Sequence, residues 1–396
     1  MIQLFTLSPD CFIWVDQSSV VLYDSVSRKF ARFRLSESLS SLVNMLMISE
    51  NLYSVDLDKV KLTDSSVAEF VSKALNFGCA IITHGDIRKP FSLKPILKVQ
   101  KDRRYMLEHG LFNEILRCVK TIDIHLNGIA RYGNAWRQID YPSNIEGHLT
   151  SAEIIDFVNH FPNRQYIKYR LFGSFKDKVA FGDIAQFFSS KASQTELCLL
   201  LEEENLLPEL LSYEFSHITL LLPYSRDFKW EMATDQKDLL QSNANQISVQ
   251  IPLMSEKSLQ NIETADILGL PYYVKPFYTG ENDDFLQSVN INLGDIDASK
   301  REIFINQSIN NHFFGKLILT SDGAVHAAPY GAPIGSLSTP LEQLLSNTMA
   351  EDSLWFLTRD KIQTCHQCAL RYLCPPISHM EIAMSASCIC PDYTHE

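Results

Sequence analysis

The first 85 residues alternate between short apolar runs of strand character and two stretches of helical periodicity. The strand candidates are FIWVD, VVLYD and RKFARFRL, followed later by AIIT. The helix candidates span 36–47 and 64–76; each opens on Ser or Asp and places apolar residues three and four positions apart. This order of strands and helices predicts a small winged-helix-like unit.

Residues 85–105 are rich in Pro, Gly and basic side chains, which predicts a linker and a domain boundary near residue 90. Beyond it, apolar runs alternate with helix candidates. The six runs lie at 121–128, 166–173, 196–203, 217–224, 246–253 and 272–277. Strands alternating with helices predict a parallel sheet of βα units, and six units predict an α/β fold with a partial barrel.

The alternation ends near residue 295. KLILT and AVHAA flank Asp322 and Gly323, which predicts a hairpin with a two-residue turn. Helices are expected in LEQLLSN and in LWFLTRDK, and a cysteine-rich tail ends the sequence. We therefore expect three domains, over residues 1–90, 91–295 and 296–396.

Composition narrows the function classes. The 396 residues carry 35 Lys and Arg against 47 Asp and Glu, a net charge of −12, which disfavours broad contact with nucleic acid or anionic lipid. The N-terminal stretch lacks the pattern of a signal peptide, and no long uncharged apolar run predicts a membrane helix. A cytoplasmic protein is expected, in which clustered cysteines bind metal more often than they form disulfides.

The tail gathers five of the nine cysteines within residues 365–396. Cys365 and Cys368 form a C-x2-C pair, Cys374 follows, and Cys388 or Cys390 could supply a fourth thiolate. Such a set can hold an iron-sulfur cluster or Zn²⁺. The remaining cysteines, in apolar runs, are expected in the core.

The segments TSDGAVHAAP, IGSL with LEQLL, LWFLTRDK and CHQCALRYLCPPISHME together resemble a SPASM domain, the cysteine-rich extension of radical SAM peptide-modifying enzymes. The six βα units then resemble a radical SAM partial barrel. Residues 1–85 resemble the precursor-recognition element of systems that mature ribosomally synthesised peptides. Members of that family with two auxiliary clusters carry a cysteine after the hairpin turn, where this chain reads Val325-His326-Ala327-Ala328-Pro329. The resemblance therefore implies at most one auxiliary cluster, [4Fe-4S] in type, on the tail cysteines, with Zn²⁺ as the alternative.

Two departures from that family affect the expected activity. The loop after the first barrel strand, IARYGNAWRQIDYPSN, has no cysteine, whereas a radical SAM enzyme carries C-x3-C-x2-C there to hold the cluster that binds SAM. The Gly-Gly-Glu stretch expected after the second strand reads Phe172-Gly173-Ser174-Phe175. The pattern resembles pseudo-radical-SAM/SPASM proteins of Bacteroidales-type peptide systems, so no SAM binding and no catalytic residue are expected. Trp136, Arg137 and Asp140 are expected to fill the space left by the cluster.

The expected role is a non-catalytic accessory protein that binds a precursor peptide or a partner maturase. A peptide could add as a strand along the edge formed by Lys29, Phe30, Arg32 and Arg34, although these side chains could also be a solvated edge that discourages aggregation. The alternatives are a redox enzyme that uses the auxiliary cluster and a structural zinc-ribbon adaptor. The glutamate run at 202–204 is expected to be a solvated loop.

Overall fold

The computed structural model describes residues 3–84, 105–176, 178–189, 194–213, 215–230, 234–288, 297–350 and 352–384. The predicted domain boundaries at residues 90 and 295 fall outside these ranges and stay predictions. No helix in the described part of the chain is long and apolar enough to cross a membrane.

The N-terminal unit consists of two three-stranded antiparallel sheets and two helices. The sheets have the strand orders β5-β1-β6 and β2-β3-β4. The elements are β1 Gln3–Leu7, β2 Cys11–Val15, β3 Ser19–Asp24, β4 Lys29–Arg34, α1 Glu37–Met47, β5 Ser54–Asp56, α2 Ser65–Asn76 and β6 Ala80–His84. The predicted strands and both helices are confirmed, whereas β1 and β5 were not predicted.

Capping residues set where the two N-terminal helices begin. The side chain of Ser36 accepts a hydrogen bond from the N–H of Leu39 at 3.1 Å, and that of Asp64 accepts one from Ser66 at 3.0 Å. Both helices turn an apolar face to one core shared with the sheets, and β5, between them in the chain, pairs with β1. The winged-helix interpretation of this unit stays a prediction.

The second unit is built on one nine-stranded, mostly parallel sheet. Its strand order is β12-β11-β10-β9-β8-β7-β13-β14-β15. The strands are β7 Thr121–His125, β8 Lys168–Phe172, β9 Thr195–Leu200, β10 His217–Leu221, β11 Ile247–Leu253, β12 Tyr272–Pro276, β13 Lys316–Leu319, β14 Ala324–His326 and β15 Gly335–Ser336. Strands β7 to β12 are parallel neighbours in chain order, so the predicted α/β class and the six βα strands are confirmed. The partial barrel of the radical SAM type stays a prediction.

Helices precede or follow the strands of this sheet, and most of them cover one of its faces. They are α3 Phe112–Leu116, α4 Ala135–Gln138, α5 Ser151–Asn159, α6 Lys178–Ser189, α7 Leu207–Leu210, α8 Thr234–Ser242, α9 Glu256–Leu268 and α10 Asp283–Ser288. Helix α4 packs among the strand ends, and α10 packs against Met380 and Met384. Alternate strand residues such as Ile122, Leu171 and Leu197 pack in the core that includes α3 and α5 to α9. The residues between them point to the other face, here called the inner face.

The C-terminal region begins with α11 Lys300–Ser308 and contains α12 Leu341–Thr348 and α13 His379–Ala383. Its first strand, β13, joins the sheet beside β7 in parallel, an attachment that was not predicted. LWFLTRDK, predicted as a helix, instead forms two 3-10 turns, Leu354–Phe356 and Arg359–Lys361. In the first turn the indole of Trp355 is buried, and its Nε1 donates to the carbonyls of Lys316 and Ala327, both at 3.1 Å.

The predicted hairpin is confirmed, but its turn differs from the prediction. The N–H of Gly323 donates to the carbonyl of Thr320 at 2.9 Å, and Gly323 has a φ of +82°. Ser321 and Asp322 therefore form the centre of the turn, and Gly323 takes the left-handed position that follows it. The prediction of Asp322 and Gly323 as a two-residue turn was wrong.

Candidate functional site

The carboxyl ends of the parallel strands are covered by the loop that follows β7. We call residues 129–145 the mouth loop, and the strand ends that it covers the mouth. Its buried aromatic side chains pack against residues at or just beyond the ends of the strands. The cluster comprises Tyr132, Trp136, Ile139 and Tyr141 of the loop with Phe172, Cys198, Leu200, Leu221, Met254, Phe277 and Ile318. The carboxyl ends of the central strands are therefore packed with side chains of the loop itself.

The three loop residues expected to fill that space behave differently. Trp136 is buried, with 4% of its surface exposed, and its Nε1 donates to Oδ1 of Asn144 at 2.9 Å. Asp140 turns toward the guanidinium of Arg170. Arg137 is exposed, so it does not fill a space among the strand ends. That Trp136 and Asp140 occupy the place of the missing cluster stays a prediction.

Close approach of the backbone holds the two ends of the mouth loop together. A Cβ on Gly128 would lie 1.8 Å from the carbonyl oxygen of Ile145, so only glycine fits there. The N–H of Ile129 donates to the Ser143 carbonyl at 2.8 Å, and the N–H of Ser143 donates to Nδ1 of His125 at 2.9 Å. His125 thus accepts through Nδ1 and is neutral, because burial lowers its pKa to about 3.

The loop after β8 is held by a carboxylate from the next strand. The Ser174 hydroxyl and the Phe175 N–H, the latter at 3.0 Å, both donate to Glu203, which is 2% exposed. Neighbouring Glu202 pairs with Arg131. The expectation of a solvated loop for this glutamate run was therefore wrong for Glu203, which is buried, whereas Glu202 is exposed. The two carboxylates join three loops at the mouth.

Deeper on the inner face, charged side chains from separate strands form a network. Asp123 lies 2.6 Å from Arg170 and 2.6 Å from Lys316. Asp140 lies 3.0 Å from Arg170 and 3.7 Å from both Lys316 and Lys275. Burial by itself would raise the pKa of both carboxyls, but the neighbouring cations outweigh it and hold each pKa below its ordinary value.

Sequence reasoning missed this network because its members are far apart in the chain. Arg170 pairs with Asp123 across 47 residues, and Lys316 comes from beyond the six βα units. A signal was present nonetheless: each residue is a charge within an apolar run, in TIDIH, in GKLIL and in YIKYRLF, which also contains Lys168. In a buried strand such a charge requires a partner.

The three described tail cysteines lie in a segment of turns. The N–H of Cys368 donates to the carbonyl of Cys365 at 2.9 Å, and the N–H of Leu370 approaches the Sγ of Cys368 at 3.4 Å. Arg359 lies beside the Sγ of Cys365, at 3.8 Å. A tight turn with a donor aimed at sulfur suits thiolate ligation of a metal.

Convergence of those thiols on one ion stays a prediction. Within the described ranges, no three His, Cys, Asp or Glu side chains lie close enough together to hold a metal ion. Cys388 and Cys390 lie outside those ranges. The donor chemistry of Cys365, Cys368 and Cys374 thus fits a metal, but the described side chains do not complete a site by themselves.

Residues 365–374, here called the cysteine segment, also contact the N-terminal unit. An apolar cluster joins β2 and β3 to α11 and to residues 368–374; it includes Phe12, Trp14, Val21, Tyr23, Ile303, Ala369, Leu370 and Leu373, with Cys368 and Cys374 packed against it. The Tyr23 hydroxyl donates to the Ala298 carbonyl at 2.7 Å. The conformation of the cysteine segment is therefore coupled to the position of the N-terminal unit.

The remaining cysteines lie as expected, with one exception. Cys11, Cys79 and Cys198 are buried, whereas Cys118 is half-buried. Burial raises the pKa of both the Cys118 and the Cys198 thiol. Such thiols are poor nucleophiles at neutral pH.

Strand β4, the predicted peptide-binding edge, pairs with β3 on one side, and no described strand pairs with its other side. Phe30, Arg32 and Arg34 alternate with Ala31 and Phe33, so they share the face opposite the core, whereas Lys29 falls on the other face. Arg32 forms an ion pair with Asp16 at 3.2 Å. The edge thus offers main-chain groups, one exposed aromatic ring and basic side chains.

Comparison with known proteins gives weak similarities. No family model matches the chain, and no curated protein matches it. Among solved structures, SuiB of Streptococcus suis bound to its precursor peptide SuiA aligns with a TM-score of 0.37 and 11% identity, over 93% of this chain and 94% of that chain. SuiB bound to S-adenosylmethionine aligns with a TM-score of 0.41 and 10% identity, over the same shares. TM-scores this low give no basis for transferring a function.

Proposed function

We propose that this protein is a non-catalytic accessory protein that binds a precursor peptide, or the maturase that modifies it, during maturation of a ribosomally synthesised peptide. The observation that carries the proposal is the mouth loop, whose own aromatic rings occupy the carboxyl ends of the barrel strands. A scaffold of this kind retains binding surfaces without the space in which SAM would be cleaved.

Two further features support the absence of SAM cleavage. Thiolates must hold three irons of the SAM cluster, and residues 129–145 contain no cysteine. Removing Trp136 from its buried position to make room would also cost about 3–5 kcal/mol, the usual cost of emptying a large aromatic site. Binding of SAM at the mouth would have to supply that free energy first.

The proposed peptide site is the open edge of β4. A peptide that adds as a strand takes main-chain hydrogen bonds from the edge and gains specificity from alternate side chains. Phe30, which is 40% exposed, would pack on an apolar residue of the peptide, while Arg32 and Arg34 would attract an acidic one. An acidic or mixed peptide is therefore the expected ligand.

The proposed role of the tail metal is structural. One iron-sulfur cluster or one Zn²⁺ on the tail cysteines would fix residues 365–374, against which β2 and β3 pack. The metal would thereby hold the recognition unit in place beside the barrel.

Catalytic inactivity is tested by incubating anaerobically purified protein with SAM and dithionite and measuring 5'-deoxyadenosine. We expect none above the level of a protein-free control. Formation of 5'-deoxyadenosine by this protein alone would show that it cleaves SAM and would refute the non-catalytic assignment.

Peptide binding is tested with the short peptides encoded beside the gene, by fluorescence anisotropy. We expect Arg34→Glu to weaken binding about fivefold, as expected for one exposed charge contact. Arg164→Glu, the same exposed substitution far from β4, should leave the affinity unchanged. Equal affinities for the wild type and both variants would place the peptide elsewhere.

A further inference from the structure

The inner face of the sheet contains a charged cavity that the mouth loop does not fill. Two adjoining spaces of about 370 and 360 Å³ share Asp140, Lys168, Arg170 and Lys275 as walls. Their combined size lies within the range of small-molecule sites. The first space is also lined by Lys120 and Lys316, and the second by Thr219, Gln250 and Tyr273.

The positive charges in this cavity outnumber the negative ones. Lys168 forms an ion pair with Glu196, with 2.5 Å between Nζ and Oε2. The two other carboxylates, Asp123 and Asp140, face four cations: Arg170, Lys275, Lys316 and Lys120. No carboxylate in the described ranges lies within 4 Å of the Lys120 ammonium. The cavity therefore carries two uncompensated positive charges inside a protein whose net charge is −12.

The buried cations of the cavity are already paired, and the excess charge lies on its open side. The side chains of Arg170 and Lys316 are 13% and 12% exposed and pair with Asp123 and Asp140, whereas the Lys275 side chain is 43% exposed and Lys120 is exposed. Lys275 lies 3.7 Å from Asp140, longer than the usual distance of a charge-assisted hydrogen bond, so its N–H donors are available to another acceptor. An anion in the cavity would supply the missing acceptor.

From this arrangement we infer that the cavity binds a small oxyanion, a carboxylate or phosphate group, between Lys275, Lys316 and Arg170. Lys120 and Lys168, exposed at the amino-terminal ends of their strands, mark the entrance. The neutral polar wall formed by Thr219, Gln250 and Tyr273 accommodates an uncharged polar part of the same molecule. This site is distinct from the β4 edge and does not depend on the proposed peptide binding.

The test is isothermal titration of the full-length protein with inorganic phosphate and, separately, with succinate, which distinguishes the two kinds of oxyanion. We expect at least one of them to bind with millimolar or tighter affinity. Lys275→Gln should weaken that binding about tenfold, the usual worth of a hydrogen bond to a charged group. Lys120→Gln, an exposed change that leaves the buried network intact, should weaken it in the same direction.

The matched control is Lys257→Gln, which removes an exposed lysine paired with Asp227 outside the cavity and should leave the affinity unchanged. The inference is overturned if neither anion binds the wild type. It is equally overturned if Lys275→Gln and Lys120→Gln bind as the wild type does, because the anion would then lie elsewhere.

Discussion

The mouth loop and the cysteine segment are two regions of this chain that are built in opposite ways. Residues 129–145 have no thiol and bury Tyr132, Trp136 and Tyr141 among the strand ends. Residues 365–374 have three thiols and turns in place of regular helix or strand. Just beyond the cysteine segment, Nδ1 of His379 lies 3.0 Å from the carbonyl oxygen of Arg137 in the mouth loop.

The difference shows where each region obtains its stability. Aromatic rings at the mouth remove apolar surface from water and need no ligand to do so. A short segment of turns holds itself together poorly, and thiolate ligands bound to a metal supply what its backbone lacks. The mouth is thus expected to be stable in the metal-free protein, and the cysteine segment is not.

The largest expected effect comes from removing the thiols. In Cys365→Ala/Cys368→Ala, the metal content of anaerobically purified protein should fall from about one site per chain to near zero, since two of four ligands are lost. Residues 365–374 should then become accessible to protease. The measurement is metal and sulfide analysis with limited proteolysis, and iron with sulfide or zinc alone decides which metal binds.

Cys118→Ala is the control for this pair, because Cys118 is half-buried and lies in another part of the chain. It should leave the metal content unchanged. If the double variant retains its metal, the site lies elsewhere and the contrast between the two regions fails.

The next largest effect is expected at the mouth. Trp136→Ala should lower the free energy of unfolding by about 3–5 kcal/mol, because it leaves a cavity in a packed cluster. Urea denaturation followed by circular dichroism measures it. Tyr166→Ala, an aromatic residue that is 76% exposed, should change stability by less than about 0.5 kcal/mol. A negligible effect of Trp136→Ala would mean that the mouth is loosely packed and could admit a ligand.

The sequence predicted the positions of the strands more accurately than the pairing between them. Apolar runs bounded by turn residues located β7 to β12. Burial on both faces leaves a strong local pattern in central strands such as β9 and β11, whereas β12, at the edge of the sheet, has no buried residue. The same reasoning could not place β13 beside β7, since that pairing joins residues almost 200 positions apart. It also missed β5, which has only three residues.

The site was predictable in part for the same physical reason. The missing thiols and the bulky Trp136 are visible in the sequence of one loop. The charged network of Asp123, Arg170 and Lys316 is not, because only the register of three strands brings these residues together. Local patterns report burial, whereas a site depends on which buried residues meet.

A smaller effect is expected in the pH dependence of the mouth. Burial lowers the pKa of His125 in the folded protein to about 3, against an ordinary value of 6.5. Below pH 6.5 the unfolded chain takes up a proton that the folded protein does not, so stability is highest above that pH and falls as the pH decreases toward 3. Between pH 7 and about pH 4.5 this histidine should account for a loss of about 2–3 kcal/mol.

Urea denaturation at the two pH values measures this loss. His125→Asn keeps an acceptor for the Ser143 N–H but does not titrate, so its stability should fall less on acidification than that of the wild type. His160→Asn, at an exposed histidine, should follow the wild type. An unchanged acid loss in His125→Asn would mean that other groups cause it.

The smallest effect concerns the hydrogen bond that orients the buried indole. Nε1 of Trp136 donates to Oδ1 of Asn144, a half-buried residue, so water can partly replace the acceptor. Asn144→Ala should therefore lower the free energy of unfolding by only about 1 kcal/mol, and Asn144→Asp, which keeps an oxygen at that position, by less. Urea denaturation of the two variants separates loss of the acceptor from loss of side-chain volume. Asn144→Ala could instead destabilise the protein as much as Trp136→Ala. In that case this one hydrogen bond, and not packing, would hold the indole in place, and the mouth would resemble the cysteine segment in depending on a polar interaction.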